Sequence, residues 1–514
     1  GEFALSNFSN NEDQNTLLTS AIMHLTVSEQ VLGISNVNVP MSSLENNLSS
    51  EPIRVTRDTS EFIVKDEIKA LINVLGLFDS DTIDEFSGSF EIATFVDPTN
   101  QTLLLNSATM HATISEQILD KDNSSIIIAP NKDIIEDWIR YSVAGTNTYN
   151  EYILKSEVIN LIEGLNLLGA NNIDGFTGTL DISGLADPND QTDLLKSAIL
   201  HATFSDELIS LNNNVLFVPI YTEDGEIEAN KVRVTPSTTE FIIKDEIKAI
   251  ITAFIDMGYG DLSSFGASIN ASQFFSDVDL YLESSSIQAT ISNKILASTL
   301  LVPDKSEDGL TDIKIVQTDI TYILKTELEY MFAALEILGI NDFAITNVSG
   351  NVTELDSGLA TRQDQVDAKR LELQEILLSG IMHLTIDNII QANGNLSIPD
   401  LALDTLFGSA TDIIIDVASV ESEQEITNFI IASSILTESS SDDISNISFD
   451  FNAIKNLSTE DQGFVLNSMI VRNILTPTIE IDPLYSLSST DYENNDTNTF
   501  LRKQAILDYI DYVS

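Results

Sequence analysis

One sequence motif recurs six times along this chain, and no other feature limits the possible folds as strongly. Three close copies read LLTSAIMHLTVSEQVL, LLLNSATMHATISEQIL and LLKSAILHATFSDELI, and they begin at Leu17, Leu103 and Leu194. Weaker copies begin at Leu282, Leu377 and Val465. The positions that match His24 are His111, His201, Gln288, His383 and Arg472. An interval of about 90 residues is typical of an array of repeated supersecondary units.

A second motif keeps the same order and interval. Its clearest copies are EFIVKDEIKALINVLGLF, EYILKSEVINLIEGLNLLG, EFIIKDEIKAIITAFIDMG and TYILKTELEYMFAALEILG, and looser copies begin at Ile426 and Thr499. The two motifs predict a leading segment or cloning remnant at 1–12 and six repeats at 13–97, 98–187, 188–276, 277–361, 362–456 and 457–514. The last copy stops inside its second motif, so repeat 6 is expected to be a truncated or capping repeat.

The periodicity predicts a helix in each motif. Leu104, Ala108, His111, Ile114 and Ile118 share one helical face. N-terminal capping is expected from a short polar side chain at Asp13, Asn100, Asp190, Asp277 and Asp461. A capping-box spacing from Thr113 to Glu116 leaves open two short helices with a break near the histidine. The helix of the second motif is expected to stop at Gly76, Gly169, Gly258 and Gly339.

Three short runs in each repeat have the composition of strands. The first run is seen at 126–130, 215–219 and 300–303, the second at 53–56 and 232–235, and the third at 89–92 and 179–182. The predicted fold class is therefore α+β, with two helices packed on a small, mainly antiparallel three-stranded sheet in every repeat. Short linkers and repulsion between acidic repeats predict that the array forms an elongated rod.

The charge balance excludes one class of partner. The chain has 24 Lys and Arg against 80 Asp and Glu, a formal charge of −56. A nucleic-acid partner is excluded because phosphate binding needs facing cations. Such self-repulsion predicts adaptation to salt or calcium. No apolar run is long enough for a membrane span. The absence of cysteine excludes disulfides and thiolate sites, and a long acidic repeat chain without cysteine fits a bacterial surface.

The recurrent histidine position has two interpretations. A repeated ligand site would not tolerate Arg472, so a half-buried side chain with a structural hydrogen bond is favoured. Ser20 and His24 lie four residues apart on a helix, but no third orienting group recurs with them, so a hydrolase is only a remote alternative. A recurrent lysine at Lys65, Lys155, Lys244 and Lys325 is interpreted as one partner of a surface ion pair.

Two clusters of oxygen-bearing side chains are candidate calcium sites, and calcium is the one cofactor considered. The candidate ligands are Asp79, Asp81 and Asp84 in one cluster, and Asp187, Asn189, Asp190 and Asp193 in the other. Calcium takes several oxygen ligands from closely spaced Asp and Asn. Neither cluster completes an EF-hand, because Phe90 occupies the position of the bidentate glutamate.

These observations favour a non-enzymatic, extracellular structural or adhesive protein of a prokaryote: a stalk, adhesin, filament or surface-layer component. Its expected partners are other copies of itself or a host or surface glycan or protein. The alternative is a binding module that recognises a glycan or protein through variable loops such as 221–230. An enzyme is ranked last, because no catalytic constellation recurs or stands alone in one repeat.

Overall fold

The computed structural model describes residues 4–41, 52–57, 59–78, 82–83, 86–128, 140–144, 149–211, 215–219, 232–234, 240–262, 270–303, 313–317, 320–343, 352, 355–392, 420–437, 444, 447–495 and 498–514. The chain divides into two compact units, Gly1–Ile220 with Lys231–Gly266, and Tyr221–Asn230 with Ala267–Ser514. The first unit contains the α-helices of repeats 1 to 3, and the second contains those of repeats 4 to 6.

The first motif forms two helices rather than one. The first helices are Asn11–Thr19, Pro98–Asn106, Pro188–Leu194, Val278–Tyr281, Arg362–Leu377 and Thr459–Val465. The second helices are Ala21–Gly33, Ala108–Asp120, Ala198–Ser210, Ser285–Leu296, Gly380–Ala392 and Met469–Glu480. The break falls at a serine four residues before the histidine position. Ser107, for example, is extended and accepts a hydrogen bond from Met110 N.

The caps of the first helices differ from those expected. Asn10 and Asp97 accept hydrogen bonds from the backbone N–H groups of Asp13 and Thr99. Asp13 and Asn100 therefore lie within the first helical turn rather than ahead of it. Asp277 does cap its helix, through Leu280 N. The predicted capping box at Thr113 is wrong, because Thr113 lies inside a helix and donates to Thr109 O.

A two-stranded antiparallel hairpin follows the second helix in five repeats. The paired strands are Arg54–Arg57 with Ser60–Ile63, Arg140–Ala144 with Tyr149–Ile153, Arg233–Val234 with Phe241–Ile242, Lys314–Gln317 with Ile320–Ile323, and Tyr492–Asn495 with Asn498–Leu501. In the register of the first hairpin, Arg54 lies opposite Ile63 and Arg57 opposite Ser60. The corresponding residues of repeat 5 lie outside the described residues.

A third helix follows each hairpin within two residues. These helices are Lys65–Leu75, Lys155–Leu167, Lys244–Asp256, Lys325–Ile337 and Lys503–Val513, and Val420–Thr437 takes the same place in repeat 5. Three of the predicted glycine stops are confirmed, since Gly169, Gly258 and Gly339 follow their helices at φ of 70°, 85° and 65°. Gly76 also follows its helix, but at φ −62°, and it begins the 3-10 helix Gly76–Phe78. Each third helix buries one apolar face, represented in repeat 1 by Ile68, Leu71 and Leu75.

The predicted three-stranded α+β fold is wrong. The structure is 60% helical and 9% strand, and its sheets are two-stranded hairpins. Each copy of the expected third run makes one isolated bridge, from Glu91 to Asn172 and from Asp181 to Asp261, and the first copy then turns into the 3-10 helix Ile92–Phe95. In the first copy of the expected first run, Ile126 makes one isolated bridge, to Asp122, and Ile127 N donates to Thr203 Oγ1. Alternating apolar residues can be buried without a hydrogen-bonded ladder.

Four shorter segments complete the described structure. Three are 3-10 helices, Leu5–Phe8, Gly76–Phe78 and Ala271–Phe274, and the fourth is the α-helix Phe451–Lys455. Leu5–Phe8 matches Ile92–Phe95 in its place ahead of a first helix, although it lies in the segment 1–12. None of the helices in the described part of the chain is long and apolar enough to cross a bilayer.

Candidate functional site

The recurrent histidine holds the backbone of the hairpin that follows it. In repeat 2, His111 Nε2 lies 2.7 Å from Ile153 O, and Ser115 Oγ accepts from Ile153 N at 3.2 Å. His111 and Ser115 are four residues apart and so share a helical face. One residue on an open strand edge therefore has both its backbone polar groups satisfied by the second helix. We call this arrangement the strand clamp.

The strand clamp recurs in three other repeats. His24 and Ser28 hold Ile63 at 2.7 and 3.2 Å, and His201 and Ser205 hold Ile242 at 2.7 and 3.1 Å. In repeat 4, Gln288 Nε2 donates to Ile323 O at 2.9 Å and Ser292 Oγ accepts from Ile323 N at 2.9 Å. The expected structural hydrogen bond is present, and glutamine replaces histidine without loss of it. His111 and His201 are buried rather than half-buried.

Burial keeps two of the imidazole rings neutral. It lowers the pKa of His111 and His201 to about 4, although the hydrogen bond to a carbonyl opposes this effect. Because that carbonyl oxygen can only accept, Nε2 carries the ring proton at neutral pH. Nδ1 of His111 has no hydrogen-bond partner among the described residues. Neither ring nitrogen is therefore bonded to a serine hydroxyl that it could activate.

At four junctions within the compact units, a buried glutamate joins one repeat to the next. Glu67, in the third helix of repeat 1, accepts from Ser107 Oγ at 2.7 Å and from the backbone N–H groups of Ala108 and Thr109, both at 2.9 Å. Those three donors form the start of the second helix of repeat 2. A carboxylate at a helix N-terminus satisfies backbone groups that have no partner within the helix, and it is favoured by the helix dipole. We call this arrangement the carboxylate lock.

The carboxylate lock has nearly the same geometry at three other junctions. Glu157 accepts from Ser197 Oγ at 2.7 Å, from Ala198 N at 3.1 Å and from Ile199 N at 2.9 Å. The matching distances to Glu327 are 2.7, 3.1 and 2.9 Å, and those to Glu425 are 2.6, 2.9 and 2.9 Å. The matching pair Glu246 and Ser284 belongs to different compact units.

The locked carboxylates lie in an apolar environment. Burial raises the pKa of Glu157 and Glu425, and this effect exceeds the lowering caused by their three hydrogen bonds. All three partners of each carboxylate are donors, which matches the ionised form. Removing such a side chain would leave three buried donors without an acceptor, and each of them would then cost free energy.

A threonine makes a second contact between repeats. Thr113 Oγ1 accepts from Asn38 N of repeat 1 at 3.0 Å, and Thr203 Oγ1 accepts from Ile127 N of repeat 2 at 3.0 Å. Thr385 Oγ1 accepts from Leu301 N at 3.2 Å in the second unit. The threonine lies two residues after the histidine position. One face of the second helix thus binds its own hairpin, and another binds the preceding repeat.

The recurrent lysine does not behave uniformly as a surface ion pair. Lys244 Nζ donates to Leu195 O at the end of the first helix of its repeat, and burial lowers its pKa. Lys503 Nζ bonds Gly463 O and, at 2.7 Å, Asn467 Oδ1. At both positions the ammonium group caps helix carbonyls, which is a favourable place for a cation.

The structure describes only the second of the two clusters of candidate calcium ligands. Asp79, Asp81 and Asp84 lie outside the described residues. In the second cluster, Asp187 caps its helix through Asn189 N at 2.8 Å and also accepts from Asn189 Nδ2. Asp193 makes an ion pair with Lys196 at 2.6 Å, and Asp190 lies in the first helical turn. Where the structure is described, no three His, Asp or Glu side chains are placed to hold a metal ion.

Repeat 5 differs from the others at the strand clamp. Asp387 takes the serine position, four residues after His383, and accepts from Gln391 Nε2 at 2.8 Å. Burial raises the pKa of Asp387 to about 7 against the lowering effect of His383. An open pocket of about 280 Å³ also lies in this repeat. Its lining residues are Arg370, Gln374, Glu423, Gln424, Thr427 and Asn428.

Sequence reasoning missed the carboxylate lock. The signal was available, because a glutamate follows the recurrent lysine by two residues at Glu67, Glu157, Glu246 and Glu327, and a serine precedes the histidine position by four. Nothing in one sequence shows that these two positions meet, since they lie 40 to 52 residues apart at the four junctions.

No protein-family model matches the chain, and neither a curated protein nor a solved structure matches it. The functional proposal below therefore depends on the contacts within the chain itself.

Proposed function

We propose that this chain is a non-enzymatic structural or adhesive protein of a prokaryotic cell surface, such as a stalk, adhesin, filament or surface-layer component. The observation that supports it most is the carboxylate lock, which repeats at four junctions with distances that agree within 0.2 Å. A buried carboxylate at each of these four junctions maintains a defined contact between the two repeats that it joins.

The use of the polar residues also favours a structural role. The residues that a hydrolase would need, serine and histidine, are bonded to backbone groups or to the lock in repeats 2 and 3. Buried polar groups that are held by specific hydrogen bonds favour one packing arrangement. The acidic surface fits a salty or calcium-containing exterior, with other copies of the chain or a surface glycan or protein as partner.

Two experiments on the source organism test this proposal. An antibody against the chain should label intact cells, and protease added outside the cells should remove that label. Labelling only after permeabilisation would contradict the cell-surface role. Binding of the purified chain to one glycan, with no part in cell attachment, would favour the binding-module alternative.

The second experiment separates a structural role from catalysis. The chain has four histidines, so a variant with all four changed to glutamine contains none. Glutamine already makes the strand clamp at Gln288, so we expect this variant to fold, to reach the cell surface and to support cell attachment. The matched variant Glu67→Ala/Glu157→Ala should reduce both the amount of chain at the cell surface and cell attachment. A histidine-free chain that folds but loses its cellular function would contradict the proposal.

A further inference from the structure

The start of the second helix is buried wherever a preceding repeat covers it within a unit. Ser107, Ser197, Ser379 and Ser468 are fully buried. The residue two positions after each serine is also buried, with Thr109, Ile199 and Ile381 at 0% exposure and Ile470 at 2%. This burial comes from the third helix of the preceding repeat, which supplies the carboxylate of the lock.

The same positions of repeat 1 are open to solvent. Ile22, which matches Ile199, is 77% exposed, and Ser20 and Ala21 are exposed as well. Ser20 Oγ caps its helix by accepting from Met23 N at 3.4 Å. In the described part of the chain no carboxylate reaches Ser20. An isoleucine at this exposure leaves apolar area uncovered that the matching residues bury.

A second binding group on the same helix, the half-buried Thr26, lacks the contact that its counterpart Thr113 makes with the preceding repeat among the described residues. Thr26 Oγ1 donates to Ile22 O at 2.9 Å, as Thr113 donates to Thr109 O at 2.7 Å. Thr113 also accepts the backbone N–H of the preceding repeat, from Asn38. Among the described residues no such N–H reaches Thr26. Repeat 1 therefore presents both polar contacts of the established junction, at the same spacing, next to an exposed apolar side chain.

The third helix of repeat 6 does not carry the complementary groups. Ala505 takes the place of the glutamate, and Tyr512, 53% exposed, stands where other repeats have Gly, Ala or Val. At Gly164, one of these positions, a Cβ atom would lie 2.3 Å from Leu200 Cδ1 of the next repeat. A tyrosine is too large for so close an approach. Repeat 6 of a second copy is thus a poor partner for repeat 1.

We propose that the surface formed by Ser20, Ala21, Ile22 and Thr26 is a docking site for a further repeat of this type whose third helix carries the glutamate. The incoming carboxylate binds Ser20 Oγ and the backbone N–H groups of Ala21 and Ile22. The extended segment after the second helix of the incoming repeat donates an N–H to Thr26 Oγ1. The docking site is independent of the proposed cell-surface role.

Hydrogen exchange on an extended chain tests the docking site. A copy of residues 88–177, which contains the glutamate-bearing third helix of repeat 2, is joined directly ahead of residue 1 of the full chain. We expect amide exchange at Ala21 and Ile22 to slow by about 100-fold relative to the original chain, since both N–H groups become buried and bonded. The matched control is Glu157→Ala in the added copy only, which should restore most of the fast exchange.

Three outcomes would overturn the inference. The first is unchanged exchange at Ala21 and Ile22 next to a folded added repeat. The second is an added repeat that stays unfolded by circular dichroism, because the surface would then not support a neighbour. The third is concentration-dependent association of the original chain that Ile22→Asp abolishes, because the occupant would then be a second copy. We expect light scattering to show that the original chain is monomeric at about 100 µM. Complexes with micromolar dissociation constants would be populated at that concentration.

Discussion

Repeats 3 and 6 build the same clamp from different side chains. In repeat 3, His201 and Ser205 hold the carbonyl and the N–H of Ile242. In repeat 6, Thr476 Oγ1 still accepts from Leu501 N at 3.0 Å, but Arg472 bonds Glu493 at 2.5 Å instead of the strand carbonyl. The arginine also lies 4.9 Å from the centre of the Phe500 ring.

This difference shows which part of the clamp the fold requires. A hydroxyl that accepts the strand N–H is present in both repeats, whereas the group at the histidine position changes from imidazole to guanidinium. A buried N–H group without a hydrogen bond costs free energy of folding. A buried carbonyl oxygen with an incomplete set of hydrogen bonds is less rare in native proteins. The histidine position therefore supports the hairpin in a way that several side chains can supply. Repeats 3 and 6 both keep the hydroxyl and the carboxylate lock, although Asp387 replaces the hydroxyl in repeat 5.

Loss of the lock should have the largest effect. Glu157→Ala leaves Ser197 Oγ and two backbone N–H groups of repeat 3 without their acceptor. We expect the opening free energy of repeat 3, measured by native-state hydrogen exchange, to fall by about 4 kcal/mol. The control is Ser20→Ala, which removes a helix cap that has no bound carboxylate and should cost about 1 kcal/mol. Equal losses in the two variants would contradict the role of the lock.

Acid should lower the stability of repeat 3 more than that of repeat 6. The pKa of His201 is about 4 in the fold, against about 6.5 for an ordinary histidine. Because the unfolded state binds the proton more readily, stability present above pH 6.5 is lost as the pH falls toward 4, by about 3 kcal/mol. His201→Gln should remove this loss from repeat 3.

Hydrogen exchange of repeat 3 between pH 7 and pH 4, in the original chain and in His201→Gln, measures the difference. Repeat 6 has Arg472 at the histidine position and provides the internal reference. A loss of the same size in both chains would show that other groups cause the acid sensitivity.

Removal of the hydroxyl should have an intermediate effect. Ser205→Ala leaves Ile242 N without its acceptor, and one buried unpaired N–H costs about 2 kcal/mol. Thr476→Ser in repeat 6 keeps the hydroxyl and should cost less than 1 kcal/mol, roughly the value of one methyl group. Opening free energies of the two repeats test this pair, and a neutral Ser205→Ala would show that the strand N–H finds another partner.

Substitution of Arg472, at the histidine position of repeat 6, should have the smallest effect on stability. Arg472→Gln loses a partly exposed ion pair and a contact with an aromatic ring. It gains a hydrogen bond to Leu501 O like the one that Gln288 donates to Ile323 O. These contributions are similar in size, so we expect a net change within about 1 kcal/mol. A loss above about 3 kcal/mol in the stability of repeat 6 would mean that the guanidinium is essential there.

Sequence reasoning recovered the parts of the fold that depend on local chemistry. The repeat interval, the glycine ends of the third helices and one hairpin strand per repeat were predicted. Two helices with a break near the histidine were left open as an alternative, but the position of the break at Ser107 was not predicted, because a single extended residue leaves the apolar spacing from Leu104 to His111 intact. The third strand was wrong because residues 89–92 alternate in burial while forming only one bridge, from Glu91 to Asn172. The lock joins residues that are far apart in sequence. Its glutamate does not stand out in the sequence, because the chain contains 80 acidic residues.

A double-mutant cycle between Glu157 and Ser197 measures the coupling across the junction of repeats 2 and 3. The variants are Glu157→Gln, Ser197→Ala and the two together, and the quantity is the opening free energy of repeat 3 from hydrogen exchange. If the buried carboxylate binds the serine across the junction, the coupling free energy should be at least about 1 kcal/mol. Changes that add within about 0.3 kcal/mol would contradict the claim that this residue pair holds adjacent repeats together.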